Sequence, residues 1–220
     1  SVSPPDGIMS DSAITLTPTT AGLGQVIQIE TSVPSGSVNS IVVPFRTADR
    51  TAATAPSDKY IVVGLDAAGA AVFTLRLHDN GGQCDLNLYD GAGVFVSTLI
   101  FGFSASGDTS GDDQWFTFSL VHQGGNQFVV LRRAGDNALL YSQITAAIDA
   151  RTVNTLVLGG LVTKKRTPGK QTNCAAVSFG PVAVSEFATG YDTYLSPNAS
   201  TTTQARFTDM NLYCNFASTT

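Results

Sequence analysis

The segment from Gln114 to Arg133 constrains the fold more than any other part of the chain. Phe116, Phe118 and Leu120 fall on one side of an extended backbone, and Thr117 and Ser119 on the other. A period of two marks a half-buried antiparallel strand, since successive side chains leave a strand on opposite faces. Gly124-Gly125-Asn126 tolerates positive φ and turns the chain back into a second apolar run ending at Leu131-Arg132-Arg133. The segment therefore predicts a hairpin. It also holds Trp115, the single tryptophan. Two roles are open for that side chain: an exposed platform for a sugar or partner, or a core residue at the start of a sandwich strand.

The same pattern recurs along the chain. Strands are expected at 13–18, 26–31, 41–47, 60–65, 71–77, 85–89, 94–103, 138–141, 155–160, 177–184 and 207–214. Turn signals such as Pro34-Ser35-Gly36, Asp79-Asn80-Gly81-Gly82 and Asp90-Gly91 separate them. Pro44 lacks a ladder donor, which predicts an edge position or a bulge. Tyr60 to Leu65 is apolar throughout, as in a strand buried on both faces. The one short helix expected covers 143–150. Many short strands without alternating helices exclude βαβ units and predict a two-sheet antiparallel sandwich or barrel. Residues 1–24 read as an irregular lead-in with an edge strand, 25–216 as a single sandwich domain, and 217–220 as a tail.

Composition narrows the setting. Charged residues make up 13% of the 220, against about 25% in ordinary soluble domains. The surface must then be built largely from Ser, Thr, Asn, Gln and Gly, which points to an extracellular protein or a virion surface. A net charge of −5 offers no general attraction to nucleic acid or acidic membranes. No run of 18 apolar residues is present to insert into a membrane. The chain opens on Ser1, which we read as the start of a processed or trimmed segment.

Three cysteines cannot all pair with one another. Either Cys174 and Cys214 are bridged in an oxidising environment and Cys84 is left over, or all three are buried thiols. The segment Lys164-Lys165-Arg166-Thr167-Pro168-Gly169-Lys170 is the one concentration of charge, and Arg132 and Arg133 are candidates to join it. Such a cluster grips sulfated glycan, phosphate or an acidic neighbour, or simply keeps a loop solvated. Asp79, Asp85 and Asp90 supply hard oxygens suited to Ca²⁺, though Asp is also common at turns for local hydrogen bonding. No other cofactor is expected. Asn198-Ala199-Ser200 is an acceptor sequence for N-glycans.

Catalysis is not expected. Glu30 and Glu186 are the only glutamates and share no motif, whereas a glycoside hydrolase needs two facing carboxyls. His78 and His122 lie near no nucleophile motif, and His78 and Asp79, adjacent in a strand, point to opposite faces.

The order of several short motifs resembles the laminin G and thrombospondin N-terminal modules. These are Pro44-Phe45-Arg46-Thr47, Asp85-Leu86-Asn87-Leu88-Tyr89-Asp90-Gly91, Asp112-Asp113-Gln114-Trp115 with the strand after it, Leu156-Val157-Leu158-Gly159-Gly160, and Phe207 to Tyr213. The residue after Trp115 is Phe where the family often has His, and the 48–58 loop is long. The resemblance implies a concanavalin A-like jelly-roll sandwich, with Cys174 and Cys214 where a late disulfide of the family falls. It also implies calcium at a sandwich rim in some members, and heparin binding in others. Together with the composition it leads to a surface recognition or adhesion module for a glycan or protein partner. The alternative is a structural virion domain, such as a capsid protrusion or fibre head, with a homo-oligomer or larger particle as its context.

Overall fold

The computed structural model describes residues 13–19, 22–31, 40–47, 58–80, 84–103, 115–123, 126–133, 138–148, 151–162, 171–180, 182–185 and 212–214. These residues form two antiparallel sheets. The first contains β1 (Ile14–Leu16), β3 (Ser40–Thr47), β8 (Phe116–Gln123), β9 (Asn126–Arg133), β10 (Leu139–Thr145), β12 (Val177–Phe179), β13 (Val182–Ser185) and β14 (Leu212–Cys214). Its order is β1-β12-β3-β8-β9-β10, with β13 also on β3 and β14 on β13. The second contains β2 (Ile27–Glu30), β4 (Asp58–Leu65), β5 (Ala71–Asp79), β6 (Cys84–Asp90), β7 (Phe95–Phe103) and β11 (Thr155–Leu158), ordered β2-β11-β4-β5-β6-β7.

Alternation explains how the sheets stack. Ile41, Val43 and Phe45 of β3 and Phe116, Phe118 and Leu120 of β8 point inward and are buried. They meet Phe73, Leu75 and Leu77 of β5 and Leu86 and Leu88 of β6 in one apolar cluster. Phe73 and Phe118 touch across the two layers, with ring centroids 5.8 Å apart. The expected hairpin is present, with Gln123 opposite Asn126 and Phe116 opposite Arg133. β4 is buried on both faces, as its sequence predicts. Its outward residues Tyr60, Val63 and Leu65 form a second apolar cluster with Val157 and Val162.

Two expectations need correction. Pro44 is not on an edge: β3 is flanked by β8 on one side and by β12 and β13 on the other. Its carbonyl accepts from Gly180 N at 3.0 Å. In an antiparallel strand the N–H and C=O of one residue point the same way. The missing donor therefore faces the break between β12 and β13, where the ladder is already interrupted. The helix expected over 143–150 is also absent among its described residues, 143–148. Residues up to Thr145 belong to β10, paired with β9 from Tyr141 opposite Leu131 to Thr145 opposite Gln127. The chain then bends, with Ala147 N donating to Thr145 Oγ1 at 3.0 Å. Pairing along β9 outweighs a weak local helix preference. No helix among the described residues is long and apolar enough to cross a membrane.

Candidate functional site

The outward face of the six-stranded sheet carries an ordered polar set. In β5 the leucines at 75 and 77 enter the core, so Thr74, Arg76 and His78 point out. In β6, Leu86 and Leu88 enter, so Asp85, Asn87 and Tyr89 point out. Strand register turns these into rows. Asp58 lies opposite His78, and His78 opposite Asp85; Tyr60 lies opposite Arg76, and Arg76 opposite Asn87.

Arg76 is the centre of the arrangement. Its guanidinium carbon lies 4.7 Å from the Tyr60 ring centroid and 3.9 Å from that of Tyr89, so the cation is held between two aromatic rings. Nε donates to Thr74 Oγ1 at 2.8 Å, and one terminal nitrogen lies 3.5 Å from Asp58 Oδ2. The other oxygen of Asp58 lies 2.7 Å from His78 Nδ1. One carboxylate thus links a guanidinium and an imidazole. Exposure rises outward along this chain, from 12% for the Arg76 side chain to 28% for Asp58 and 38% for His78. Burial raises the Tyr60 pKa; the Arg76 charge pulls against it, while Asp58 and Tyr89 add to it.

The β6–β7 turn borders this set. Asp90 Oδ1 accepts from Ala92 N at 2.9 Å and Val94 N at 2.7 Å. Gly93 sits at φ +83°, and a side chain there would begin 3.6 Å from Arg76. Tyr89 and the exposed Phe95 meet edge to face at 5.9 Å. Thr98 Oγ1 donates to Asn87 Oδ1 at 2.7 Å.

The residues singled out from sequence fall elsewhere or apart. Asp85 is buried and accepts from Asn80 Nδ2 at 2.9 Å and Gly102 N at 2.8 Å. Asp79 is near it, but Asp90 closes the far end of the same strand, roughly 17 Å along. The three carboxylates are therefore not brought together, and no group of three His, Cys, Asp or Glu among the described residues is placed to hold a metal ion. Arg132 and Arg133 lie at the end of β9, half-buried, opposite Thr117 and Phe116. Lys164, Lys165, Arg166, Lys170 and Asn198 lie outside the described residues.

Trp115 is not a platform: it is buried, with the Arg46 guanidinium 5.7 Å from its ring centroid. The outward face of the eight-stranded sheet around it is itself buried, including Ser119 and Val130. Cys174 is an unbridged thiol whose Sγ lies 3.4 Å from Gln171 O, so the expected bridge to Cys214 is not formed in this structure. Cys174 is instead held against Gly160 and the Gln171 carbonyl, beside Tyr60 on the six-stranded sheet, while Cys214 lies in β14 opposite Val182 on the other sheet. Burial pushes the Cys174 pKa up, against a smaller pull from Gly24 N–H.

No protein-family model matches this sequence, and no curated protein matches it. Solved structures do match in shape. A native heptameric SAP-like pentraxin from Limulus polyphemus superposes with a TM-score of 0.57 at 12% identity, over 89% of this chain and 83% of that one. The fold is a concanavalin A-like β-sandwich. The enzymatically active domain of tailspike protein 2 from bacteriophage CBA120 gives 0.52 at 14% identity, over 98% of this chain and 33% of its own. The LG1-3 region of the laminin α2 chain gives 0.50 at 11%, over 80% of this chain and 31% of its own. The resemblance to laminin G modules thus holds for the fold. The chain spans about a third of the tailspike and laminin chains.

The expectation that the chain is not an enzyme is corrected. A third of a chain described as an enzymatically active domain superposes on this fold, so the lack of a paired-glutamate motif does not by itself exclude catalysis. His78 and Asp79 do not pair, but His78 meets a carboxylate from Asp58 on the neighbouring strand. The signal available in the sequence was the pair of leucine-alternating strands bearing Arg, His, Asp, Asn and Tyr in a chain so poor in charge.

Proposed function

We propose that the protein is a surface recognition module that takes a glycan or a protein partner on the outward face of its six-stranded sheet. The observation that carries this reading is the guanidinium of Arg76 stacked between Tyr60 and Tyr89 and joined through Asp58 to His78. A cation, a carboxylate and an imidazole are held at set spacings beside an exposed aromatic, Phe95. Sugars are met by this combination: aromatic surfaces cover C–H groups, and fixed polar groups take hydroxyls. Groups ordered before binding lose less entropy when the partner arrives. The low charge of the surface fits an extracellular or virion-surface setting.

A second reading, a structural domain of a virion surface, is supported by the long uncharged edge strands β7 and β10. Such edges suit packing within a larger particle.

A glycan array tests the first reading. Wild-type protein is compared with His78→Ala, Phe95→Ala and a triple Ala variant of Lys164, Lys165 and Arg166. Binding is expected to fall at least tenfold in the first two and to persist in the third. Binding kept by His78→Ala and Phe95→Ala but lost in the triple variant moves the site to the basic loop and ends this assignment.

A further inference from the structure

Charge on the outward face of the six-stranded sheet is unbalanced. Among the described residues Arg76 is the one fixed cation in its polar rows, and Asp58 lies 3.5 Å from it. Two further carboxylates stand nearby, Asp85 on the same rows and Asp90 at the bordering turn. Both are held by donors that carry no charge: Asn80 Nδ2 and Gly102 N for Asp85, Ala92 N and Val94 N for Asp90. Neighbouring cations are engaged elsewhere. Arg151 reaches the turn at Gly91 but bonds Asp66 Oδ2 at 2.5 Å and Ala71 O at 2.6 Å. Lys59 is buried, opposite Leu77. With His78 neutral, one cation therefore faces three carboxylates, and the described groups of this face carry a negative surplus.

The hydrogen-bonding groups left over suit hydroxyls. A carboxylate only accepts, so the His78 Nδ1 that meets Asp58 carries the hydrogen, and Nε2 of the neutral ring is an acceptor. Among the described residues Nε and Nη1 make the hydrogen bonds of Arg76, which leaves the Nη2 donors for a ligand. Nη2 lies beside Gly93, where an added Cβ would meet no other atom within 4 Å. A sugar hydroxyl both donates and accepts, so it can serve either group. A carboxylate or sulfate oxygen only accepts, and would meet a lone pair at His78 and like charge around it.

Granted the sheet-face site, we propose that its ligand is an uncharged sugar and that sulfated and carboxylated glycans are rejected there. Hydroxyls bridge Arg76 Nη2 and His78 Nε2, and the exposed Phe95 ring covers the C–H side of the sugar. Repulsion from Asp58, Asp85 and Asp90 supplies the discrimination. The sulfated glycan expected from the basic segment is the wrong class for this face.

The glycan array, with its members sorted by charge, tests this. Glycans whose binding falls in His78→Ala and Phe95→Ala are those held by the sheet face. They are expected to be neutral, and their sialylated or sulfated counterparts to bind about tenfold more weakly or worse. Asp58→Asn, with a wild-type circular dichroism spectrum, is expected to narrow that gap about threefold by removing the carboxylate nearest Arg76. In wild-type protein, about 0.5 M NaCl is expected to narrow it as well, because salt screens exposed charges, and to leave the neutral glycan bound. Sheet-face ligands that carry sulfate or carboxylate overturn the inference and leave the face as the site. So does a gap unchanged by both Asp58→Asn and salt. An array on which no glycan depends on His78 or Phe95 overturns the site itself, and the charge preference with it.

Discussion

Arg76 is fixed by stacking, by Thr74 and by Asp58 at once. Replacing it with Ala is expected to cost about 1–3 kcal/mol, the range for a desolvated cation–π contact together with lost hydrogen bonds. Arg76→Lys is expected to recover little of this, because an ammonium cannot lie flat between two rings. Urea unfolding of both variants measures it. Asp66 governs a second local interaction. It accepts from Ala70 N at 2.9 Å and from Arg151 at 2.5 Å. Burial alone raises its pKa, but Ala70 N–H, Arg151 and Ala68 N–H together bring it below the ordinary value. A carboxyl whose folded pKa is depressed adds stability above its unfolded pKa, and loses it as pH falls through the folded value. Asp66→Asn is therefore expected to flatten the decline in stability below about pH 4, as followed by thermal melts across that range.

Among the elements, the strands were legible because alternation and turn residues record them directly. The 71–77 and 85–89 strands are the clearest cases. Longer-range facts were not. The helix expected at 143–150 failed because β9 supplies a pairing edge that no local signal announces. The site was missed because it depends on register: Asp58 and His78 are 20 residues apart and meet only when β4 lies against β5. Pro44 was read as an edge position or a bulge; it sits inside the sheet at the interruption between β12 and β13, which sequence cannot locate because it does not say which neighbour is interrupted. Turn geometry gives a sharp test at this scale. At Gly91 a Cβ would lie 2.2 Å from Ala71 O and 2.9 Å from an Arg151 nitrogen. Gly91→Ala is expected to destabilise by about 1–3 kcal/mol through overpacking, seen as a lower melting temperature.

For the whole molecule, the two sheet faces have different fates. The inner faces make the core. The outer face of the eight-stranded sheet is buried around Ser119 and Val130; that of the six-stranded sheet is buried around Val63 and Val157 but leaves Asp58, His78 and Phe95 open to solvent. The proposed recognition site therefore lies on one side of the sandwich. Backbone amide NMR of the labelled protein, titrated with a glycan selected on the array, tests this most directly. Shifts are predicted to cluster at 58–60, 74–80 and 85–95, on β4, β5, β6 and the turn after β6. Shifts clustered at 163–170 or along β8 and β9, with the six-stranded sheet unmoved, would contradict it.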